Sequence, residues 1–213
     1  PDPDKVILFC DELIQRSEES GDLNYTWQGY IGKGQAQRMK GNLPLTLENL
    51  YKANEIAQKN DDGFQIATTE LNIADVFQVM GNYSSSVEYY RSSIQKLREE
   101  NDSITLAYGL INIGDAYNLM SKPDSALIFL EEAEELMNDL NDEQGIAYLQ
   151  GNKGISYALQ GRNDEAEAYM NQTVAKLTEL GDYYGISAYL NYISDVYFER
   201  GAYNNALAFS RQS

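Results

Sequence analysis

The chain of 213 residues has no histidine at all. That removes the usual general base near neutral pH, the Ser-His and Cys-His nucleophile pairs and the commonest zinc ligand. The expectation is therefore a protein that is not an enzyme and holds no metal or cofactor. Cysteine is nearly as scarce: Cys10 is the only one, which excludes an internal disulfide and any multi-cysteine zinc site. One thiol does not fix the redox compartment, so a cytoplasmic and a periplasmic setting both stay open. Cys10 falls on the presumed core face of its segment, where a buried, inert thiol is expected. No apolar run approaches the roughly 20 residues that span a bilayer, and the opening "PDPDKV" lacks the basic and apolar parts of a signal peptide. A soluble segment without membrane contact is expected. Positive charge is scarce too: sixteen basic against thirty-three acidic residues give a net charge of −17. Such a chain repels phosphate backbones and anionic lipid unless basic residues cluster, and none do, so nucleic-acid binding is not expected.

What the chain has in abundance is self-similarity. "NIADVFQVMGNYSSS" at 72–86 returns in register as "NIGDAYNLMSKPDSA" at 112–126, a period of forty. Each period opens on an aspartate, Asp22, Asp62, Asp102, Asp142 or Asp182, preceded by Gly21, Asp61, Asn101, Asn141 or Gly181. That doublet reads as the end of one helix and the N-cap of the next, whose carboxylate accepts free backbone N–H groups. Twelve residues on comes a small residue (Gly34, Ala74, Gly114, Gly154, Ser194), and three further a large one (Gln37, Phe77, Tyr117, Tyr157, Tyr197). The i, i+3 relation keeps both on one helical face, so small and large residues interlock between neighbouring helices. Gly41, Gly81, Ser121, Gly161 and Gly201 then suit a left-handed residue that closes the helix. A second helix follows, with Thr46, Ser86, Ala126, Ala166 and Ala206 as its small positions and Leu47, Val87, Leu127 and Leu207 beside them.

Small, aromatic three on, glycine, then alanine resembles the tetratricopeptide repeat, and "NIGDAYNLMSKPDSALIFLEEAEEL" and "YISDVYFERGAYNNALAF" carry those positions in order. The resemblance covers nearly the entire chain and is to a long, forty-residue variety of the repeat. The first repeat departs most, with Gln37 in the aromatic place, and the early tryptophan place holds Tyr30, Glu70, Leu110, Gln150 and Leu190. The resemblance implies an all-α fold, a right-handed α-solenoid of antiparallel helix-turn-helix repeats. The division would be a second helix of a partial repeat at 1–21, full repeats at 22–61, 62–101, 102–141 and 142–181, and a partial repeat at 182–213. Since "DPDKVILFCDEL" aligns with "KPDSALIFLEEA" three periods later, the chain starts and stops inside second helices, and a piece of a longer protein is expected.

The resemblance also implies that the first helix of each pair lines a groove. Asn72, Asn112 and Asn152 recur two residues before the small site, and Asp75, Asp115 and Asp195 recur three residues after those places, on the same helical face. Asparagine carries donor and acceptor together, so a row of them satisfies the main chain of an extended peptide, while the acidic row favours Lys or Arg on it. Tyr108, Tyr148 and Tyr192 flank these rows, and Arg38 is the one basic residue well placed in the groove. Lys33 and Lys153 are expected to pack their stems between helices with the ammonium reaching solvent. The expected ligand is a protein or a basic, extended peptide. Weaker signals, the charge run "EEAEE", the turn "NDDGFQIATTE" and "GKGQ", read as solvated faces or turns rather than ion or phosphate sites. The leading expectation is a non-catalytic peptide-binding scaffold, the sensory or regulatory segment of a larger bacterial signalling protein. The alternative is a structural module that self-assembles through exposed array ends with its groove empty.

Overall fold

The computed structural model describes residues 2–212. The described residues form eleven helices, and the first ten each end where the forty-residue pattern places a turn: α1 (Pro3–Ser20), α2 (Leu23–Met39), α3 (Leu43–Lys59), α4 (Gly63–Val79), α5 (Tyr83–Glu100), α6 (Ser103–Leu119), α7 (Pro123–Leu140), α8 (Glu143–Gln160), α9 (Asn163–Leu180), α10 (Tyr183–Glu199) and α11 (Tyr203–Ser210). All five predicted aspartates cap a helix. The Asp22 carboxylate accepts from the backbone N–H groups of Asn24 and Tyr25, Asp62 from Gln65, Asp102 from Thr105, Asp142 from Gln144 and Gly145, and Asp182 from Gly185.

The backbone halves the period read from the side chains. Residues 21, 41, 61, 81, 101, 121, 141, 161, 181 and 201 all have φ between 52° and 84°, a left-handed turn every twenty residues. Glycine takes six of these places; Asp61, Asn101, Ser121 and Asn141 take the others, the short polar residues that tolerate this conformation. The turns into the second helices share one closure: the N–H of residues 42, 82, 122, 162 and 202 donates to the carbonyl five residues back, at Gln37, Phe77, Tyr117, Tyr157 and Tyr197, at about 2.9 Å in each case. The large site thus has two tasks, a side chain in the core and a carbonyl that ends the helix.

The helices form two compact units, one running to Thr105 and the other from Leu106. In the first, α1 packs on α2, α2 on α3, α3 on α4 and α4 on α5. In the second, α7 packs on α8, α8 on α9, both on α10, and α10 on α11. The small sites are where first and second helices approach: a methyl on Gly154 would sit 3.3 Å from the Ala166 carbonyl oxygen. Beside them run aromatic pairs not anticipated from the sequence, stacked for Phe77 on Tyr89, Tyr117 on Phe129 and Tyr197 on Phe209 and tilted for Tyr157 on Tyr169, with ring centroids 5.4–5.8 Å apart. The second member always lies twelve residues after the first. In the atypical first repeat both places are polar, Gln37 and Asn49, and both are buried.

Candidate functional site

In the first unit, three of the expected groove residues come together. Asn72 and Asp75 stand one turn apart on α4, and Arg38 reaches across from the last turn of α2, its Nη1 3.6 Å from Asp75 Oδ2. The other carboxylate oxygen is held from behind. Tyr90, on α5 and only 1% exposed, donates its hydroxyl to Asp75 Oδ1 at 2.5 Å. Tyr90 stands where other repeats carry Leu50, Leu130 and Met170, so a core position has been given a polar tip that reaches the first-helix face. Burial pushes the Asp75 carboxyl above the usual carboxylate range, against the Tyr90 hydroxyl and the Arg38 guanidinium, which both favour the ionised form. Asn72 donates its amide to the Thr68 carbonyl at 2.8 Å, one turn back on its own helix. Between α2 and α4 lies a dip of about 10 Å³, with Gly34 and Arg38 on one side, Asn72 and Val76 on the other, and Thr46 and Leu50 of α3 as its floor.

The second unit uses its expected residues differently. Tyr108 donates to Asp142 Oδ2 at 2.8 Å, and Tyr148 repeats the contact with Asp182 Oδ2 at 2.6 Å. Each tyrosine thus pins the N-cap of the next first helix. The Tyr148 hydroxyl and the Gly185 N–H hold Asp182 below the usual carboxylate range, and the Gly145 N–H, with Tyr108, does the same for Asp142. Burial and the Asp142 carboxylate push the Tyr108 phenol well up. Asn152 is 4% exposed, since Tyr189 of α10 lies over it: its amide donates to the Tyr148 carbonyl at 3.1 Å and to the Tyr189 hydroxyl at 3.0 Å, and its own oxygen is buried without a partner. Tyr189 also donates to the Tyr148 carbonyl at 2.9 Å. Its ring fits because residue 151 is glycine; a methyl there would lie 2.5 Å from the ring. Asn112 and Asp115 are half-buried, Tyr192 packs against the core cluster around Ile155 and Ile193, and Asp195 is exposed. Tyr189 was missed by the sequence reading, and Gly151 in the middle of a helix is the one signal that marks its place.

One expectation is corrected. Lys153 does not reach solvent: it is 4% exposed, and its ammonium is paired with Glu134 of α7 at 2.6 Å and lies 5.7 Å from the centre of the Tyr169 ring. The apolar surroundings leave its stem room but no outlet, so the charge is neutralised across two helices instead. Lys33 pairs with Asp11 of α1 at 2.5 Å. Cys10 is buried, and burial pushes its thiol up. Among the described residues no group of three or more His, Cys, Asp or Glu is placed to hold a metal ion, and no helix is long and apolar enough to cross a membrane.

The sequence profile of the tetratricopeptide repeat matches residues 65–139 and 145–213. The chain belongs to the tetratricopeptide repeat family. No curated protein matches its full sequence significantly. Among solved structures, the apo form of RapI superposes with a TM-score of 0.84 at 13% identity, over 96% of this chain and 73% of that one. BtubC from P. vanneervenii gives 0.76 at 16% identity, over 100% and 89%. A Rap protein in complex with competence and sporulation factor gives 0.73 at 18% identity, over 95% of this chain and 59% of that one. At these identities the likeness is one of fold: an all-α tetratricopeptide solenoid, the architecture of a protein-interaction scaffold.

Proposed function

We propose that this tetratricopeptide repeat segment is a non-catalytic module that holds an extended, basic peptide along the first-helix faces of its repeats. It would serve as the sensory or regulatory part of a larger bacterial signalling protein. The observation that carries the reading is the grouping of Asn72, Asp75 and Arg38: an amide for the ligand main chain, a carboxylate fixed in place by Tyr90, and a half-exposed cation at its edge. In the second unit, Asn112, Asp115, Asp195, Tyr108, Tyr148 and Tyr192 would serve as the peptide-facing side chains of that unit. Asn152, with its amide spent on Tyr148 and Tyr189, would act there by holding Tyr189 rather than by touching ligand. The complex of a Rap protein with competence and sporulation factor supports a regulatory setting by analogy of fold. The net charge of −17 adds a long-range preference for basic partners.

The test is a titration with fluorescently labelled extended peptides, one rich in arginine and one rich in glutamate, at low and moderate salt. The basic peptide is expected to bind more tightly, to weaken as salt rises and to lose affinity on Asn72→Ala. Equal, negligible binding of both peptides, unaffected by Asn72→Ala, would count against the reading.

A further inference from the structure

The Arg38–Asp75 pair is looser than its neighbours, and the difference lies in the geometry. In the same unit Lys33, Lys40, Lys52 and Lys96 meet their carboxylates at 2.5, 2.6, 2.8 and 3.0 Å. Arg38 stops 3.6 Å from Asp75, beyond hydrogen-bonding distance, and its side chain is 45% exposed. The carboxylate does not come out to meet it. Tyr90 anchors Oδ1 at 2.5 Å from a fully packed position, so Asp75 is fixed with Oδ2 turned to the α2 side, where Arg38 stands. The dip beside it has room for about one water molecule, so a partner group must lie over the pair rather than insert between α2 and α4. An anchored, recessed carboxylate and a cation paired with it only at 3.6 Å leave an acceptor that a better-placed cation can take.

We propose that Arg38 is a stand-in: in the free protein it balances Asp75, and on binding it yields Asp75 Oδ2 to a guanidinium or ammonium group of the ligand. This rests on the peptide-binding reading above and names the ligand group recognised at that point. A ligand cation that hydrogen-bonds Oδ2 gains a charge-assisted bond that Arg38 does not make, and Arg38, already half in solvent, gives up little by turning away. Asp75 is then a specificity-determining residue for a basic side chain, and Arg38 lowers the affinity of that side chain by the cost of displacing it.

The experiment uses the full chain with two small probes, acetyl-Ala-Arg-Ala-amide and acetyl-Ala-Glu-Ala-amide. NMR follows the side-chain amide of Asn72 and the guanidinium N–H of Arg38 at low salt. The arginine probe is expected to shift both signals. Arg38→Gln should tighten its binding about threefold to fivefold, the effect of removing one weak competing ion pair. Asp75→Asn should abolish it, while circular dichroism and the melting temperature report that both variants remain folded. Binding of the arginine probe that is unchanged or weaker in Arg38→Gln, or retained in Asp75→Asn, overturns the proposal. So does preferential binding of the glutamate probe lost on Arg38→Gln, which would make Arg38 the recognition group. If the arginine probe fails on both wild type and Arg38→Gln while a long basic peptide still binds through Asn112, this inference falls and the groove reading stands. If the probe displaces Arg38 as described but no long peptide binds, the inference stands and the groove reading falls.

Discussion

Asp75 and Asp182 are both held by tyrosine hydroxyls, yet burial and hydrogen bonding move their acidities in opposite directions. At Asp182 the Tyr148 hydroxyl and the Gly185 N–H outweigh burial, so the folded state favours the ionised form. Its stabilisation is complete above the ordinary aspartate value of 3.8 and is lost as pH falls below that through the depressed folded value. Asp182→Ala is expected to cost about 1–2 kcal/mol at pH 7, measured by urea unfolding, since it removes a helix cap and the partner of Tyr148 together. Tyr148→Phe should reduce the further loss of stability seen on acidification below pH 3.8. At Asp75 burial wins and the folded state favours the protonated form. The sign reverses: stability is highest below 3.8 and falls as pH rises through the raised folded value. Asp75→Asn, which keeps an acceptor for Tyr90, is therefore expected to melt higher than wild type at pH 7, with the gain vanishing below pH 3.8. A lower melting temperature at pH 7 would contradict this account. Neither residue's behaviour could be read from its register, because Asp75 depends on a tyrosine fifteen residues away that replaces a leucine, and Asp182 on one from the preceding repeat.

Between helices, equivalent positions do not have equivalent tolerances. Gly34 and Gly114 share the small site, but a methyl on Gly34 would meet Leu50 at 3.4 Å, ordinary contact, whereas one on Gly114 would meet Leu130 at 2.7 and 2.8 Å. Glycine inside a helix costs about 0.8–1 kcal/mol relative to alanine. Gly34→Ala is therefore expected to stabilise by up to about 1 kcal/mol, as native Ala74, fully buried at the same position, already suggests. Gly114→Ala should destabilise by about 1–2 kcal/mol, because Leu130 is fully buried and has nowhere to move. Thermal melts of the two variants test this directly, and a shared sign would sink it. The small-then-large pattern was legible because i, i+3 spacing on a helix is local. How closely the partner helix approaches was not, because that distance is set by the Leu130 rotamer and the packing around it.

Charge acts over the full length of the chain. With sixteen basic residues, many of them already paired with carboxylates, an excess of seventeen among the thirty-three acids is left to repel itself. Raising sodium chloride from about 10 to about 200 mM shortens the Debye length from about 30 Å to below 10 Å and should raise the melting temperature by relieving that repulsion. A melting temperature that falls with salt would mean that the cross-helix ion pairs, such as Lys153–Glu134 and Lys96–Glu70, contribute more than the net charge costs. The same excess of negative charge should speed the encounter with a basic peptide at low salt, which stopped-flow association rates would show.

Sequence order alone was enough for the all-α repeat architecture, the forty-residue period, the five aspartate caps and the closing glycines, because each is a local matter of helix propensity, capping and i, i+3 spacing. Packing decided the rest. Asn72 and Asn152 occupy the same register, yet one stands beside Asp75 at the edge of a dip and the other lies sealed beneath Tyr189. Tyr90 reaches a carboxylate on another helix, and Lys153 finds Glu134 instead of water. These outcomes turn on which side chains from other helices arrive at a position, and only tertiary packing brings them there.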